Sequence, residues 1–259
     1  MFKFFNQKKT VTKDKFQSVL QQGYTDPDPI AEYFINKTGI SFEKQKTILK
    51  SRLSSFCTVR KIASFDDCLS LVKTDLQLEQ ELIDHLTTNE TYFYREFSQI
   101  ENLVKQVSLT TTKVDILCAP CSTGEEPYTL AIALLEAGVS SSQFSLQGID
   151  INSSALKSAN RAIYRERNIS KMPKHLVTKY FEQTQNKYRL KPLIKNHVQL
   201  KQFNLFDPEI DKIGKFDYIL CRNLLIYFDQ PTKQKALKIL QSLLKDPQQK
   251  VLYGHADLY

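Results

Sequence analysis

Val114-Asp115-Ile116-Leu117-Cys118-Ala119 runs through Pro120 into Cys121-Ser122-Thr123-Gly124-Glu125-Glu126-Pro127-Tyr128. The order predicts a strand, a tight loop and the start of a helix. Thr123-Gly124 supplies the turn and permits close approach of a ligand to the backbone. Pro127 suits the first helical turn, where its missing N–H costs nothing. A nucleotide-like ligand fits such a loop, but the Gly-x-Gly-x-x-Gly dinucleotide fingerprint is absent. Two carboxylates stand where a phosphate would have to lie against bare helix N–H groups. A ligand carrying hydroxyls, an amine or a cationic centre is therefore expected rather than a pyrophosphate.

The pattern repeats downstream. Phe144-Ser145-Leu146-Gln147-Gly148-Ile149-Asp150-Ile151 is a second apolar run ending in an acid, and Asn152, Ser153 and Ser154 offer caps for a following helix. An acid at the end of the second strand, about 20 to 30 residues past the first loop, is placed to accept hydrogen bonds from ribose hydroxyls. Asp150 is read as that ribose ligand, with helix capping as the alternative role.

Composition places the chain among soluble proteins of one or two domains: 259 residues, 41% hydrophobic and 25% charged. No stretch approaches the ~18 apolar residues of a membrane span, and the amino-terminal apolar residues are too few for a signal peptide. A cytoplasmic protein is expected. Five cysteines, an odd number, argue against a disulfide framework. Cys118-Ala119-Pro120-Cys121 has no second C-x-x-C to complete a zinc site, and the four histidines form no paired ligand spacing. No metal is expected. The net charge of +8 suits nucleic acid, an anionic membrane or an acidic protein surface alike.

Short helical segments before residue 85 give way to alternating strands and helices, which predicts two domains, 1–85 and 86–259. Ile40 through Phe56 carries Ile48, Leu49, Leu53 and Phe56 at near-helical spacing, with Lys44, Lys46, Lys50 and Arg52 largely off that stripe. This is a basic amphipathic helix, read either as a solvated face or as a recognition surface. Tyr180-Phe181, Lys187 to Lys191 and His197 to Phe203 read as short strands of a small antiparallel subdomain at about 178–203.

Four segments resemble the CheR family of chemotaxis-receptor methyltransferases. Leu86 to Glu96, with Thr88-Asn89-Glu90-Thr91-Tyr92-Phe93-Tyr94-Arg95-Glu96, is similar to the family's Thr-Asn-x-Thr-x-Phe-Phe-Arg-Glu segment. Cys121 to Tyr128 matches its Ser-Thr-Gly-Glu-Glu-Pro-Tyr loop, and Asp150-Ile151-Asn152 with Arg161-Ala162-Ile163-Tyr164 matches its Asp-Ile-Asp and Gly-Ile-Tyr elements. Phe216 to Asp229 follows its Phe-Asp-x-Ile-x-Cys-Arg-Asn-x-x-Ile-Tyr-Phe-Asp segment.

The resemblance implies an α/β, Rossmann-like S-adenosylmethionine-dependent methyltransferase domain with a small antiparallel β-subdomain, behind a small all-α domain that recognises receptors. It implies methyl transfer to glutamates on cytoplasmic helices of chemoreceptors, leaving S-adenosylhomocysteine. The protein is expected to act as a monomer, without nucleic acid or membrane insertion. A non-catalytic S-adenosylmethionine-binding sensor or scaffold is the rival from another class. Cofactor contacts carry over to Asn89, Thr91, Arg95, Glu126, Asp150, Asn204, Leu205, Arg222 and Asn223. The sequence leaves open which of Glu125 and Glu126 faces the ligand. Arg95 and Tyr227 are assigned to the catalytic site, positioning the reactants; a surface ion pair and an aromatic core filler are their plainer roles. A glutamate is almost wholly ionised at pH 7, so no general base is required.

Two departures stand out. The turn between Phe181 and Tyr188 contains no glycine, which implies methylation without a receptor-tail tether. The sequence ends at Gly254-His255-Ala256-Asp257-Leu258-Tyr259, where family members usually continue into a last strand, so the sheet is expected to lack that strand.

Overall fold

A computed structural model describes residues 23–258. The chain divides into two compact units, Met1–Thr87 and Thr88–Tyr259.

The described part of the first unit is helical: α1 (Asp28–Thr38), α2 (Lys46–Arg60), α3 (Phe65–Val72) and α4 (Leu76–Leu86). Side-chain acceptors start two of them. Ser64 accepts from the Asp67 N–H at the start of α3, and Asp75 accepts from the Gln77 and Leu78 N–H groups at the start of α4. Helix α1 stops at Gly39, whose φ of 76° lets its N–H reach back to Ile35 O. Ile30, Phe34, Leu49, Leu53, Phe56, Cys68 and Leu82 fill the core.

The amphipathic stripe predicted for α2 is present at Leu49, Leu53 and Phe56, but Ile48 is 46% exposed. The helix also begins at Lys46 rather than near Ile40, after a short 3-10 turn over Glu43–Gln45. Its cations are engaged within the unit: Lys46 pairs with Asp28 at 2.9 Å, Lys50 donates to Thr25 O, and Arg52 donates to Leu86 O.

The second unit opens with α5 (Phe97–Ser108) and then alternates: β1 (Val114–Cys118), α6 (Glu125–Glu136), β2 (Phe144–Asp150), α7 (Ser153–Arg161). An insertion follows, with β3 (Ile163–Arg165), α8 (Glu166–Ile169), α9 (Lys174–Tyr180), β4 (Phe181–Thr184), β5 (Lys187–Leu190) and α10 (Pro192–Lys195). The chain returns through β6 (Val198–Gln202), β7 (Tyr218–Cys221), α11 (Gln230–Ser242) and β8 (Leu252–Tyr253). The five-stranded sheet has the order β6-β2-β1-β7-β8, and every pairing is parallel.

Alternation along β1 feeds two cores. Ile116 and Cys118 face the side covered by α5 and α6, with Ile100, Leu103, Leu130 and Leu134. Leu117 and Ala119 face the other side with Ile219, Ala236 and Leu240. A sheet covered on both faces explains why its inner strands read as near-continuous apolar runs. The neighbours of β1 are β2 and β7, so the strand order reverses there. In open parallel sheets, the carboxyl ends beside that reversal form a crevice.

The expected make-up of the small sheet needs correction in two respects. The small antiparallel sheet has the order β3-β5-β4, so it recruits Ile163–Arg165 and excludes Val198–Gln202. The latter pairs in parallel with β2, from Leu146 opposite Val198 to Asp150 opposite Gln202. Alternation identifies a strand but not its partner; Val198 and Leu200 pack on the main core, which selects the larger sheet. An unanticipated edge strand, Leu252–Tyr253, stands opposite Leu220 and Cys221 of β7. Two residues in parallel register are too few for periodicity to reveal.

Gly148 is where β2 admits the loop after β1. A Cβ there would stand 2.8 Å from Cys121 Cβ and 2.9 Å from Leu200 Cδ2. Gly148→Ala is expected to cost about 1–3 kcal/mol by overpacking, measured by denaturant unfolding followed in the methyltransferase unit. An unchanged midpoint would show that the loop yields freely.

Candidate functional site

The carboxyl ends of β1 and β7 open into a cavity of about 220 Å³. Its walls come from 88–95, Ile100 of α5, the loop after β1 with α6, and the segment after β7. Of the residues singled out in the sequence, Thr91, Arg95, Glu126, Arg222, Asn223 and Tyr227 line it. Asn89, Asp150, Asn204 and Leu205 are not among the lining residues. Asp150 is buried behind the loop, with one carboxylate oxygen accepting from Ser122 N–H at 2.7 Å and the other from Asn152 N–H at 2.8 Å. The capping of α7 falls to Asn152, whose side chain accepts from Ala155 N–H. Asn204 turns its side chain to Phe206 N–H, and Leu205 is buried in the second core.

The adjacent acids divide their work because successive residues at a helix start point in different directions. Glu125 points away from the cavity, is fully buried, and accepts from Thr123 Oγ1 at 2.6 Å and Asn168 Nδ2 at 2.9 Å. Glu126 lines the cavity and accepts from Arg222 Nη1 through Oε2 at 2.6 Å. Its Oε1 is buried without a partner, as is Ser122 Oγ in the same wall. A buried carboxylate oxygen without a donor is costly. A ligand's ammonium or hydroxyl group would satisfy it.

Arg222 is almost wholly buried, its side chain 2% exposed. Besides Glu126 it donates to Arg95 O at 2.6 Å and stands 3.5 Å from a Glu96 carboxylate oxygen. Burial pushes the Glu126 carboxyl up while Arg222 pulls it back, leaving it above the ordinary range. Burial also acts on Glu96, but bonds from the His255 backbone and ring, with the charge of Arg222, hold that carboxyl below it.

Backbone strain gathers in the same walls. Tyr94, Glu96, Ser122 and Asn223 all have positive φ without being glycine. Such conformations cost of order 1–3 kcal/mol each and persist only where surroundings hold them. Asn223 is held by Asp257, whose carboxylate accepts from the Asn223 and Gly254 N–H groups through one oxygen and from Leu225 N–H through the other. Asp257 is 1% exposed. Neither Asp257 nor Asn168 stood out in the sequence, because a buried acceptor for distant backbone N–H groups leaves no local pattern.

All five cysteines are free and buried, and burial pushes the Cys118, Cys121 and Cys221 thiols well above the ordinary range. Among the described residues, no group of three or more His, Cys, Asp or Glu could hold a metal.

Residues 89–258 match the family model described as CheR methyltransferase, SAM binding domain, and residues 28–87 match CheR methyltransferase, all-alpha domain. The chain belongs to the CheR methyltransferase family. It is 33% identical to the chemotaxis protein methyltransferase of Borreliella burgdorferi, with 98% of this chain and 91% of that protein covered. The protein of that name from Campylobacter jejuni is 34% identical, covering 85% and 84% of the two chains. Chemotaxis protein methyltransferase 2 of Vibrio cholerae is 34% identical, covering 90% and 85%. The cofactor of this CheR domain is S-adenosylmethionine. Its positive and polar groups suit the site: an ammonium for Glu126 Oε1 and hydroxyls for the Ser122 and Asp150 side of the loop.

Two outcomes follow. Glu125 is buried and its carboxyl is pushed up to about 7. A folded-state value above the unfolded one means that Glu125 costs stability as pH rises from the ordinary carboxylate range to that value. Glu125→Gln removes the titration, so its stability relative to wild type should rise between pH 5 and pH 8 by about 2–3 kcal/mol. Parallel denaturation curves at the two pH values would refute this. Asp257→Asn turns an amide donor toward backbone donors, leaving at least one buried group unsatisfied at about 1–3 kcal/mol. S-adenosylhomocysteine affinity is expected to fall on the order of tenfold, read by calorimetry; wild-type affinity would show that the Asn223 segment holds itself.

Proposed function

We propose that this CheR chain transfers methyl groups from S-adenosylmethionine to glutamate side chains on the cytoplasmic helices of chemoreceptors, giving methyl esters. One observation carries the reading most strongly. The buried, unpartnered Oε1 of Glu126 and the cavity-lining Arg95 and Tyr227 belong to one cavity, so a cationic amino acid end and an incoming carboxylate have separate places.

When bound, the cofactor supplies an electrophilic methyl group on a sulfonium. Glu126 would hold the ammonium, and Arg222 keeps the Glu126 carboxylate oriented. Asp150 braces the loop from behind through the Ser122 and Asn152 N–H groups, on the side proposed for the ribose. Arg95 lies over the Tyr92 ring at 5.7 Å and donates to Glu90 O. The nearest carboxylate oxygen of Glu96 is 4.0 Å away, so no short ion pair consumes its fork. Arg95 can therefore orient a substrate carboxylate without the tight pairing that would stabilise it against reaction. Tyr227 shapes the cavity wall beside it.

No histidine lines the cavity. None is needed, because a glutamate carboxylate with a pKa of about 4.3 is already ionised at neutral pH. The protein's contribution is alignment and exclusion of water, which favour a reaction whose partners neutralise each other.

Transfer of labelled methyl from S-adenosylmethionine to base-labile esters on receptor-bearing membranes tests the proposal. A protein that binds S-adenosylhomocysteine but labels no receptor would be a binding module instead. Arg95→Ala is expected to lower kcat by about a hundredfold at saturating substrates, the scale set by small misplacements of reacting groups. Lys should rescue poorly, since it lacks the planar fork. Full activity in Arg95→Ala would reduce the residue to a surface charge.

A further inference from the structure

The segment after β8 joins two walls of the cavity. Asp257 holds the wall after β7 through the Asn223 and Leu225 N–H groups, and Lys233 of α11 donates to Asp257 O at 2.6 Å. On the opposite side Gln99 Nε2 of α5 donates to Tyr253 O at 3.0 Å. Between these anchors His255 turns both of its nearby nitrogens to one atom. Its backbone N–H at 3.1 Å and its ring Nδ1 at 2.9 Å meet Glu96 Oε2. A carboxylate only accepts, so Nδ1 carries the hydrogen whether the ring is neutral or charged.

Glu96 needs such restraint because it follows Arg95 directly. Its Oε1 stands 4.0 Å from Arg95 Nε, about 1 Å beyond a charge-assisted hydrogen bond. A small turn of the Glu96 side chain would close that gap, and the ion pair would occupy the fork that an incoming carboxylate requires. The local backbone does not prevent this turn: Glu96 sits before α5 with a φ of 47° and makes no side-chain cap bond to that helix. Its restraint comes from the other oxygen.

Arg222 contributes little to holding that oxygen. It stands 3.5 Å from Glu96 Oε2, while its short bonds, both 2.6 Å, go to Glu126 and the Arg95 carbonyl. The two His255 contacts are therefore the short ones on Glu96. The ring is 67% exposed, so it is no core filler, and Gln99 and Lys233 already fasten the segment that carries it.

We propose that His255 is a positioning residue: by holding Glu96 Oε2 it keeps that carboxylate off Arg95 and leaves Arg95 open to the substrate carboxylate. The inference rests on the role given to Arg95 above. It sets an order among substitutions. Asparagine places an amide N–H about where Nδ1 stands and preserves the restraint. Alanine keeps only the backbone donor. Aspartate sets a like charge beside Glu96 and drives it toward Arg95.

The test measures kcat with labelled S-adenosylmethionine and the soluble cytoplasmic fragment of a cognate chemoreceptor, both saturating. Wild type is compared with His255→Asn, His255→Ala and His255→Asp, and the His255→Asp change is repeated in a Glu96→Gln background. His255→Ala should lower kcat roughly three- to tenfold, the scale of one exposed hydrogen bond. His255→Asp should lower it by about tenfold or more, since repulsion is added, while His255→Asn stays within about twofold of wild type. S-adenosylhomocysteine affinity, read by calorimetry, should fall by less than kcat in each variant, because the bond from Arg222 to Glu126 is untouched. With Glu96→Gln present, His255→Asp should cost less than about twofold, because a neutral amide does not compete for Arg95. Equal kcat in wild type and all three single variants overturns the inference alone. Equal losses from His255→Asp in the two backgrounds also overturn it, reducing His255 to a brace of the terminal segment. Full activity in Arg95→Ala overturns the role given to Arg95 and this inference with it.

Discussion

The guanidinium of Arg222 is the contact on which the site depends. It leaves the end of β7, is almost wholly buried, and engages Glu126 at the start of α6, the Arg95 carbonyl and the Glu96 carboxylate. Three segments far apart in sequence meet at one planar group that cannot lose its charge. Taking one partner from such a buried set costs about 3–5 kcal/mol, because an uncompensated charge is left behind. Arg222 reaches only one Glu126 oxygen, through Nη1, while Glu126 Oε1 and Arg222 Nε are each buried without a partner.

A second constraint acts through the backbone. Ser122 and Asn223, at the ends of neighbouring strands β1 and β7, both take left-handed conformations that glycine would adopt more cheaply. Each is restrained by a buried acid reaching from elsewhere, Asp150 to the Ser122 N–H and Asp257 to the Asn223 N–H. The parallel sheet supplies the rigid base, since its strands are anchored in cores on both faces. Strain at the cavity is thus balanced by packing beneath it and by two carboxylates behind it.

Charge is distributed with the same economy. Lys245 joins Asp115 and Asp217 at the amino ends of β1 and β7, and the cations of α2 are bonded within the helical unit.

Sequence by itself determined the elements whose causes are local. The apolar runs of β1 and β2, the turn at Gly124, the cap at Asn152 and the strand end before Arg222 each follow from near neighbours in the chain, so the methyltransferase fold and the segments around its cavity were legible. Tertiary structure alone decided what depends on residues distant in sequence. Whether Glu125 or Glu126 faces the cavity was settled by Asn168 and Arg222. The assignment of Val198–Gln202 to the main sheet and Ile163–Arg165 to the small one was settled by which core their side chains reach. Leu252–Tyr253 and Asp257 were hidden because two parallel residues and one buried acceptor have no period to read. Periodicity records which face of an element is apolar; it carries no record of which partner covers that face.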